Sequence, residues 1–446
     1  MRTPICDFVE RYAAKGDLRL HMPGHKGISF LGIEGRDITE VEGADVLYSA
    51  DGIIAESEKN ASMLFGSAKT VYSAEGSSLC IRAMVYLAVT YAKSRGVEPL
   101  IFAGRNAHKT FLSAVALCDA DVDWIYPDRY DSIVSCNISP DALEKKLSSA
   151  EKKPVAVYIT TPDYLGNLAD IKGLSDVCRK FGVLLMVDNA HGAYLRFLPH
   201  SRHPLDLGAD ICCDSAHKTL PVLTGGAYLH ISNGAPEHFG KNADFAMSLF
   251  ASTSPSYLIL QSLDRANEYL CGEYKSLLHS TVEKLDELKR EISSCGFEIA
   301  GDEPAKLAIR AKSYGYRGDE LAKLLLEKGI VCEFSDPDFV VMMFTPEILD
   351  EGFLRLRAVL TSIERGGEIN ECSPIPNVAE RAMSIKEATF SPAITVPVRE
   401  SVGKVLASAS VSCPPAVPIL VCGEKIDTRA VECFEYYGID FCRVIN

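Results

Sequence analysis

From about residue 66 onward, short, mostly apolar runs alternate with longer stretches in which apolar positions recur every three or four residues. The runs are Leu100-Ile101-Phe102-Ala103, Asp123 to Tyr126, Val155 to Thr160, Val183 to Val187 and Ala209 to Cys213. Near-continuous apolar character over so few residues predicts strands covered on both faces. The intervening stretches predict helices: Ser77 to about Ala92, a segment through Cys118, a segment ending near Ala150, and about Ile171 to Phe181. The third is opened by Ser139-Pro140, an N-cap followed by proline in the first turn. This regular alternation predicts an α/β fold with a largely parallel central sheet between layers of helices. In such sheets ligands gather at the carboxyl ends of the strands.

The flanks have a different character. Residues 1–65 read as an N-terminal arm, with a helix around Cys6 to Lys15 leading into His21-Met22-Pro23-Gly24-His25-Lys26-Gly27, where proline and glycine forbid regular structure. After the strand near Tyr228, a polar turn from Ala251 to Tyr257 precedes one long predicted helix, Leu258 to about Cys295. A small αβ layer follows, with Leu307 to Arg310, Gly318 to Lys328, Val331 to Phe334 and Phe339 to Phe344. Beyond Ser373 the chain is rich in proline, with Ile385 to Phe390 and Pro418 to Val421 as structured islands. The expected division is an arm (1–65), a large domain (66–295) and a C-terminal region (296–446) that changes character near 373.

The 446 residues suffice for two or three domains, and 24% charged with 47% hydrophobic residues excludes wholesale disorder. A net charge of −14 argues against a nucleic-acid surface. The fifteen cysteines are odd in number, scattered, and without a Cys-x-x-Cys pair, so they read as reduced thiols, and no metal site is expected. No signal peptide or membrane-length apolar run occurs, and a cytoplasmic location is expected.

Candidate chemistry collects at predicted strand ends. Asp188-Asn189-Ala190-His191-Gly192 follows one run, and Asp214-Ser215-Ala216-His217-Lys218-Thr219 follows the next. A lone turn lysine is ordinarily a surface residue. A lysine beside small hydroxyl residues, thirty positions after an acid at a buried strand's end, suggests a pyridoxal-phosphate site. That cofactor needs a lysine to bond it covalently, a carboxylate to keep its ring nitrogen protonated, a flat group over the ring, and donors for its phosphate. Lys218, Asp188 and His108 answer the first three. Ser77, Ser78, Ser215 and His217 answer the last, with Ser77 and Ser78 at a helix N-terminus where anions are favoured. Ala190 offers a small surface to the ring's other face.

These residues carry a resemblance. Asp188 to Tyr194 and Ser215 to Pro221 resemble the bacterial ornithine/lysine/arginine decarboxylase family of fold-type I enzymes. So do His21 to Gly27, Asp37-Ile38-Thr39-Glu40, Leu64-Phe65-Gly66, Gly76-Ser77-Ser78, Asn106 to Lys109, Ser252 to Tyr257, Glu380 to Ser384 and Pro414 to Pro418, in the family's order. The resemblance implies an aspartate-aminotransferase-like fold. It also implies decarboxylation of a basic amino acid, arginine before lysine or ornithine, and a homodimer with shared active sites, higher oligomers being left open. By the same resemblance Lys218 carries the cofactor, Asp188 pairs with its ring nitrogen, His108 stacks on it, and His191 lies close to the ring oxygen or to the Asp. A proton would return to the substrate from Lys218 or His217, and Glu424 or another C-terminal carboxylate would meet the substrate's distal cation. The chain resembles the short form that lacks the N-terminal wing domain. It departs from the family at Asp163, where relatives usually carry Thr, and at Gly225-Gly226, which replaces a Gln-Thr or Gln-Ala pair. Another reaction on the same cofactor, transamination or lyase chemistry, is the first alternative. A catalytically silent homologue serving as a binding partner is the second.

Overall fold

The computed structural model describes residues 1–128, 130, 132–408 and 417–446, with backbone alone at 412–413. In chain order the first half contains α1 (Pro4–Ala14), α2 (Ile53–Phe65), β1 (Lys69–Ser73), α3 (Ser77–Ser94), β2 (Leu100–Gly104), α4 (Lys109–Cys118), β3 (Asp121–Ile125), α5 (Pro140–Ser149), β4 (Ala156–Thr160), α6 (Ile171–Phe181) and β5 (Leu184–Asp188). Then come α7 (Pro204–Leu207), β6 (Ile211–Asp214), α8 (Ala216–Thr219), β7 (Ala227–Ile231), α9 (Glu237–Ser248), α10 (Tyr257–Cys271) and α11 (Tyr274–Ser294). The last part holds β8 (Glu298–Ala300), β9 (Lys306–Arg310), α12 (Gly318–Glu327), β10 (Phe334–Ser335), β11 (Phe339–Met343), α13 (Asp350–Ser362), α14 (Ile385–Phe390) and β12 (Ala393–Pro397). It closes with β13 (Ser412–Cys413), β14 (Val417–Pro418), α15 (Thr428–Tyr436) and β15 (Phe441–Ile445).

Two compact units share these elements. The first comprises Met1–Val97 and Cys178–Leu277, the second Glu98–Val177 and Leu278–Asn446.

In the first unit the strand order is β1-β7-β6-β5. β5 and β6 are parallel, with Asp188 opposite Cys213, so both carboxyl ends open on the same edge. β7 runs antiparallel to β6 and to β1, which departs locally from the expected parallel sheet. The twelve residues between β6 and β7 carry only the single turn of α8, not a helix long enough to return across the sheet for a parallel pairing. The amino end of α1 is fixed by Asp264, whose Oδ2 accepts from the amides of Ile5 and Cys6, both at 3.0 Å. Its other oxygen accepts from Ser57 Oγ at 2.6 Å. The arm is thus tied down by a buried carboxylate on a helix N-terminus. The expected long helix is two helices, α10 and α11, interrupted at Gly272, whose ψ of −117° leaves the helical range.

In the second unit β2 lies between β4 and β3, parallel to both. A separate antiparallel sheet runs β10-β11-β9-β8, and its strands bury Leu307, Ile309, Val340 and Met342 against Leu321 and Leu325 of α12 and Leu356 and Leu360 of α13. In the proline-rich lobe β12 pairs antiparallel with β15, from Ala393↔Ile445 to Pro397↔Phe441. The island at Ile385 to Phe390 is a helix, closed by a capping box in which Ser384 and Glu387 exchange hydrogen bonds. Pro414, Pro415 and Ala416 lie outside the described residues. The architecture is α/β, and the strands of the large sheet are mostly parallel.

Candidate active site

Asp188 closes β5 and is 2% exposed. Its Oδ1 accepts from the Ala190 amide at 3.3 Å and lies 3.6 Å from Cys213 Sγ. On the neighbouring strand, β6 ends at Asp214, Ser215 follows, and Lys218 stands on the single turn of α8. Lys218 Nζ reaches His191 Nε2 at 3.0 Å. Parallel pairing of β5 and β6 therefore sets the acid and the lysine at the same edge, which is what their positions after apolar runs predicted.

Across from them, Gly76 has φ +73°, and α3 begins at Ser77. Ser215 Oγ donates to Ser77 Oγ at 2.6 Å, joining the lysine's turn to the helix N-terminus. His217 turns both its amide and its Nδ1 to the carbonyl of Gly226, at 3.1 and 3.0 Å. The Gly225-Gly226 pair has a steric reason. Gly225 sits at φ +101°, where an added Cβ would come within 3.0 Å of the Ala74 carbonyl oxygen, and its own carbonyl accepts from the Gly76 amide at 2.6 Å. At Gly226 an added Cβ would lie 2.2 Å from Val222 Cγ1. The two glycines let this loop press against the turn that presents Ser77 and Ser78.

A buried network that the sequence did not reveal stands behind the site. Asp214, wholly buried, accepts from His203 Nε2 at 3.0 Å and His230 Nε2 at 3.2 Å on one oxygen, and from Asn189 Nδ2 at 2.7 Å on the other. Burial alone would raise its pKa, but His203 and then His230 hold its carboxyl well below the usual carboxylate range. Burial in turn lowers the pKa of His230. The network ties the residue after Asp188 to the residue before Ser215. The available signal was an acid closing the apolar run Ala209 to Cys213, a place where an unpaired charge is not tolerated.

The second unit holds the remaining candidates. His108 caps α4, its Nδ1 accepting from the Thr110 amide at 3.1 Å. Asp163 is buried and saturated, accepting from Ser135 Oγ, from Asn167 Nδ2 at 2.8 Å, and from the amides of Leu165 and Asn167, both at 2.9 Å. Asp163 is thus an acceptor that organises its own turn. Glu424 corrects the expectation that it meets a substrate cation. It pairs with Arg105 Nη2 at 3.0 Å, the two side chains being 4% and 10% exposed, and also accepts from the Val421 amide at 2.8 Å. Its charge is already neutralised.

These residues suit the anionic, aldehyde-bearing cofactor expected from the sequence. There is an amine for the aldehyde, a buried carboxylate beside it, and a hydroxyl-lined N-terminus of an eighteen-residue helix for a phosphate. Fold and site together define the class of pyridoxal-phosphate enzymes of the type I fold. The family model for the Orn/Lys/Arg decarboxylase major domain matches residues 3–303, and the chain belongs to that family. The arginine decarboxylase of Halalkalibacterium halodurans is 30% identical, covering 95% of this chain and 91% of that relative. The arginine decarboxylase of Bacillus subtilis strain 168 is 28% identical over the same shares. Among solved structures, the lysine decarboxylase LdcF of Francisella novicida superposes with a TM-score of 0.80 at 18% identity, covering 100% of this chain and 81% of that one. As a member of this decarboxylase family, the present chain carries out pyridoxal-phosphate-dependent decarboxylation of a basic amino acid.

Proposed function

We propose that the protein removes the α-carboxylate of arginine, in preference to lysine or ornithine, to give the corresponding amine and carbon dioxide. The arginine preference rests on the two arginine decarboxylases that align with nearly the whole chain. The residue roles rest on the parallel register that brings Asp188 and Lys218 to one strand edge.

When bound, the cofactor supplies an electron sink for the pair released as the carboxylate leaves. Lys218 is the covalent anchor. Asp188 holds a proton on the ring nitrogen, and burial without bulk solvent strengthens that interaction. Ala190 would offer a small surface to the ring and, by the family resemblance, His108 would stack on it. Ser77 and Ser78 at the head of α3, with Ser215 and His217 from the lysine's turn, hold the phosphate. His217 has Nδ1 engaged by Gly226, so Nε2 is its remaining polar atom.

The working form in this reading is a homodimer with shared sites. The arm carries Leu18, Leu20, Phe30 and Leu31, each between 77% and 83% exposed, an apolar set that a second copy would cover. The arm (1–65), cofactor domain (66–295) and C-terminal region (296–446) are our functional division of the chain. Among the described residues no helix is long and apolar enough to cross a membrane; the site of action in this reading is the cytoplasm. Incubation of the cofactor-loaded protein with arginine, lysine and ornithine separately, followed by product analysis, tests the reading. Agmatine is expected as the main product. Keto acids without any amine would overturn it in favour of transamination.

A further inference from the structure

We propose that His191 is a catalytic residue that exchanges a proton with Nζ of Lys218, so that the lysine can present a free amine to an aldehyde carbon. The inference rests on the reading that Lys218 is the cofactor's anchor.

The lysine Nζ and His191 Nε2 are 3.0 Å apart, within direct proton-transfer reach. His191 is 4% exposed and Lys218 half-buried, so the histidine's side of the exchange is shielded from bulk water. Its position is fixed by a tight turn in which the Gly192 amide donates to the Asn189 carbonyl at 2.8 Å. A Cβ on Gly192 would lie 2.0 Å from Asn189 Oδ1, so the turn is built for glycine. Lys218 is equally constrained, its amide bonded to the Ser215 carbonyl at 3.0 Å. Of the two histidines near the anchor, His217 spends its Nδ1 and its amide on Gly226, while His191 is the one on the amine.

The chemical need is plain. An ordinary lysine is neutral in only about one part in a few thousand at pH 7, and only the neutral form is a nucleophile. Imidazole titrates near neutrality and is suited to hold the proton. In the step, one N–H bond breaks at Nζ and one forms at His191 Nε2. The lone pair left on Nζ then forms a bond to the aldehyde carbon as the carbonyl π pair moves to oxygen. That oxygen leaves as water with one proton from Nζ and the one held by His191, and no atom changes oxidation state. When the amine is later released, the proton returns by the same path. The titratable groups on the surrounding elements are Asp188 and Cys213 at the ends of β5 and β6, Asp214 with its partners His203 and His230, and His217 on α8. Asp214 is bonded to Asn189, two residues from His191.

The test follows attachment of pyridoxal phosphate to the cofactor-free protein between pH 6 and 10, quenched with borohydride and quantified by mass spectrometry. His191→Gln keeps a hydrogen-bonding side chain but cannot carry the proton, and His191→Ala leaves room for added imidazole. Both variants should attach the cofactor on the order of 100-fold more slowly at pH 7, approach the wild-type rate near pH 10, and keep native circular dichroism. Imidazole should restore the rate of His191→Ala but not of His191→Gln. A His191→Gln variant with the wild-type rate and pH profile would overturn the inference, since a purely spatial role survives that change. Failure of the wild type itself to attach the cofactor would instead refute Lys218 as the anchor.

Discussion

Replacing Gly225 with alanine should strike the cofactor site through the backbone alone. The residue adopts φ +101°, and a new Cβ would meet the Ala74 carbonyl oxygen at 3.0 Å and Ile259 Cδ1 at 3.1 Å. Forcing an L-residue into that region costs about 1–3 kcal/mol. The neighbouring bond from the Gly76 amide to the Gly225 carbonyl, 2.6 Å long, is net worth about 0.5–1.5 kcal/mol and is strained by any relief of the clash. The sum is about 1.5–4.5 kcal/mol. If the loop holds its place, the cost appears as lost stability. If the loop moves, it carries away the turn bearing Ser77 and Ser78, and pyridoxal-phosphate affinity drops on the order of 100-fold, since about 1.4 kcal/mol is a factor of ten. Urea unfolding followed by circular dichroism, paired with a spectrophotometric cofactor titration, measures both. Gly240→Ala is the control. That glycine lies within α9 with nothing within 4 Å of its added Cβ, and the change should stabilise by up to about 1 kcal/mol. A Gly225→Ala protein with unchanged midpoint and unchanged cofactor affinity would refute the reasoning.

Lys306 and Glu303 form an ion pair at 2.7 Å with both side chains 1% exposed, and Lys306 also donates to the Asp163 carbonyl at 3.0 Å. Lys306→Met should cost about 3–5 kcal/mol in chemical unfolding because it strands a buried carboxylate. Burial pushes the Asp264 carboxyl from 3.8 up to about 6. A raised acid favours its neutral form in the folded state, so stability is greatest below about pH 4 and falls as pH rises through about 6. The loss totals about 3 kcal/mol. Asp264→Asn should flatten that dependence in unfolding measured from pH 4 to 8, and an unchanged slope would point to other groups. Arg105→Met should leave Glu424 buried without its partner and destabilise the protein, whereas the paired change Arg105→Met with Glu424→Gln should recover part of the loss in a double-mutant cycle.

What could be read in the sequence was whatever a short window decides. Ser139 caps α5 as its sequence indicates, its side chain accepting from the Ala142 amide at 3.1 Å. The apolar runs before Asp188 and Lys218 are legible as strands because a short buried strand is a local signal, and they pair in parallel in the fold. Other features depend on residues far apart in the chain. α2 and α9 passed unnoticed because the polar residues of Ile53–Phe65 and Glu237–Ser248 blur the apolar stripe. The break at Gly272 was hidden inside an otherwise continuous helical pattern. The pairing of β12 with β15 joins residues that only the folded lobe brings together. In the site, Asp188 and Lys218 stood out by position, but the partners of Asp214 come from three separate segments, and the role of Gly225 is visible only beside Ala74. Glu424 was misjudged for the same reason, because Arg105 lies more than three hundred residues away in sequence.

Lys218 is the residue proposed to hold the cofactor. Borohydride reduction of the cofactor-loaded protein, followed by proteolysis and peptide mass mapping, examines that directly. The pyridoxyl mass should fall on Lys218 alone, in the peptide that also carries His217. A pyridoxyl group on any other lysine, with Lys218 unmodified, would contradict it.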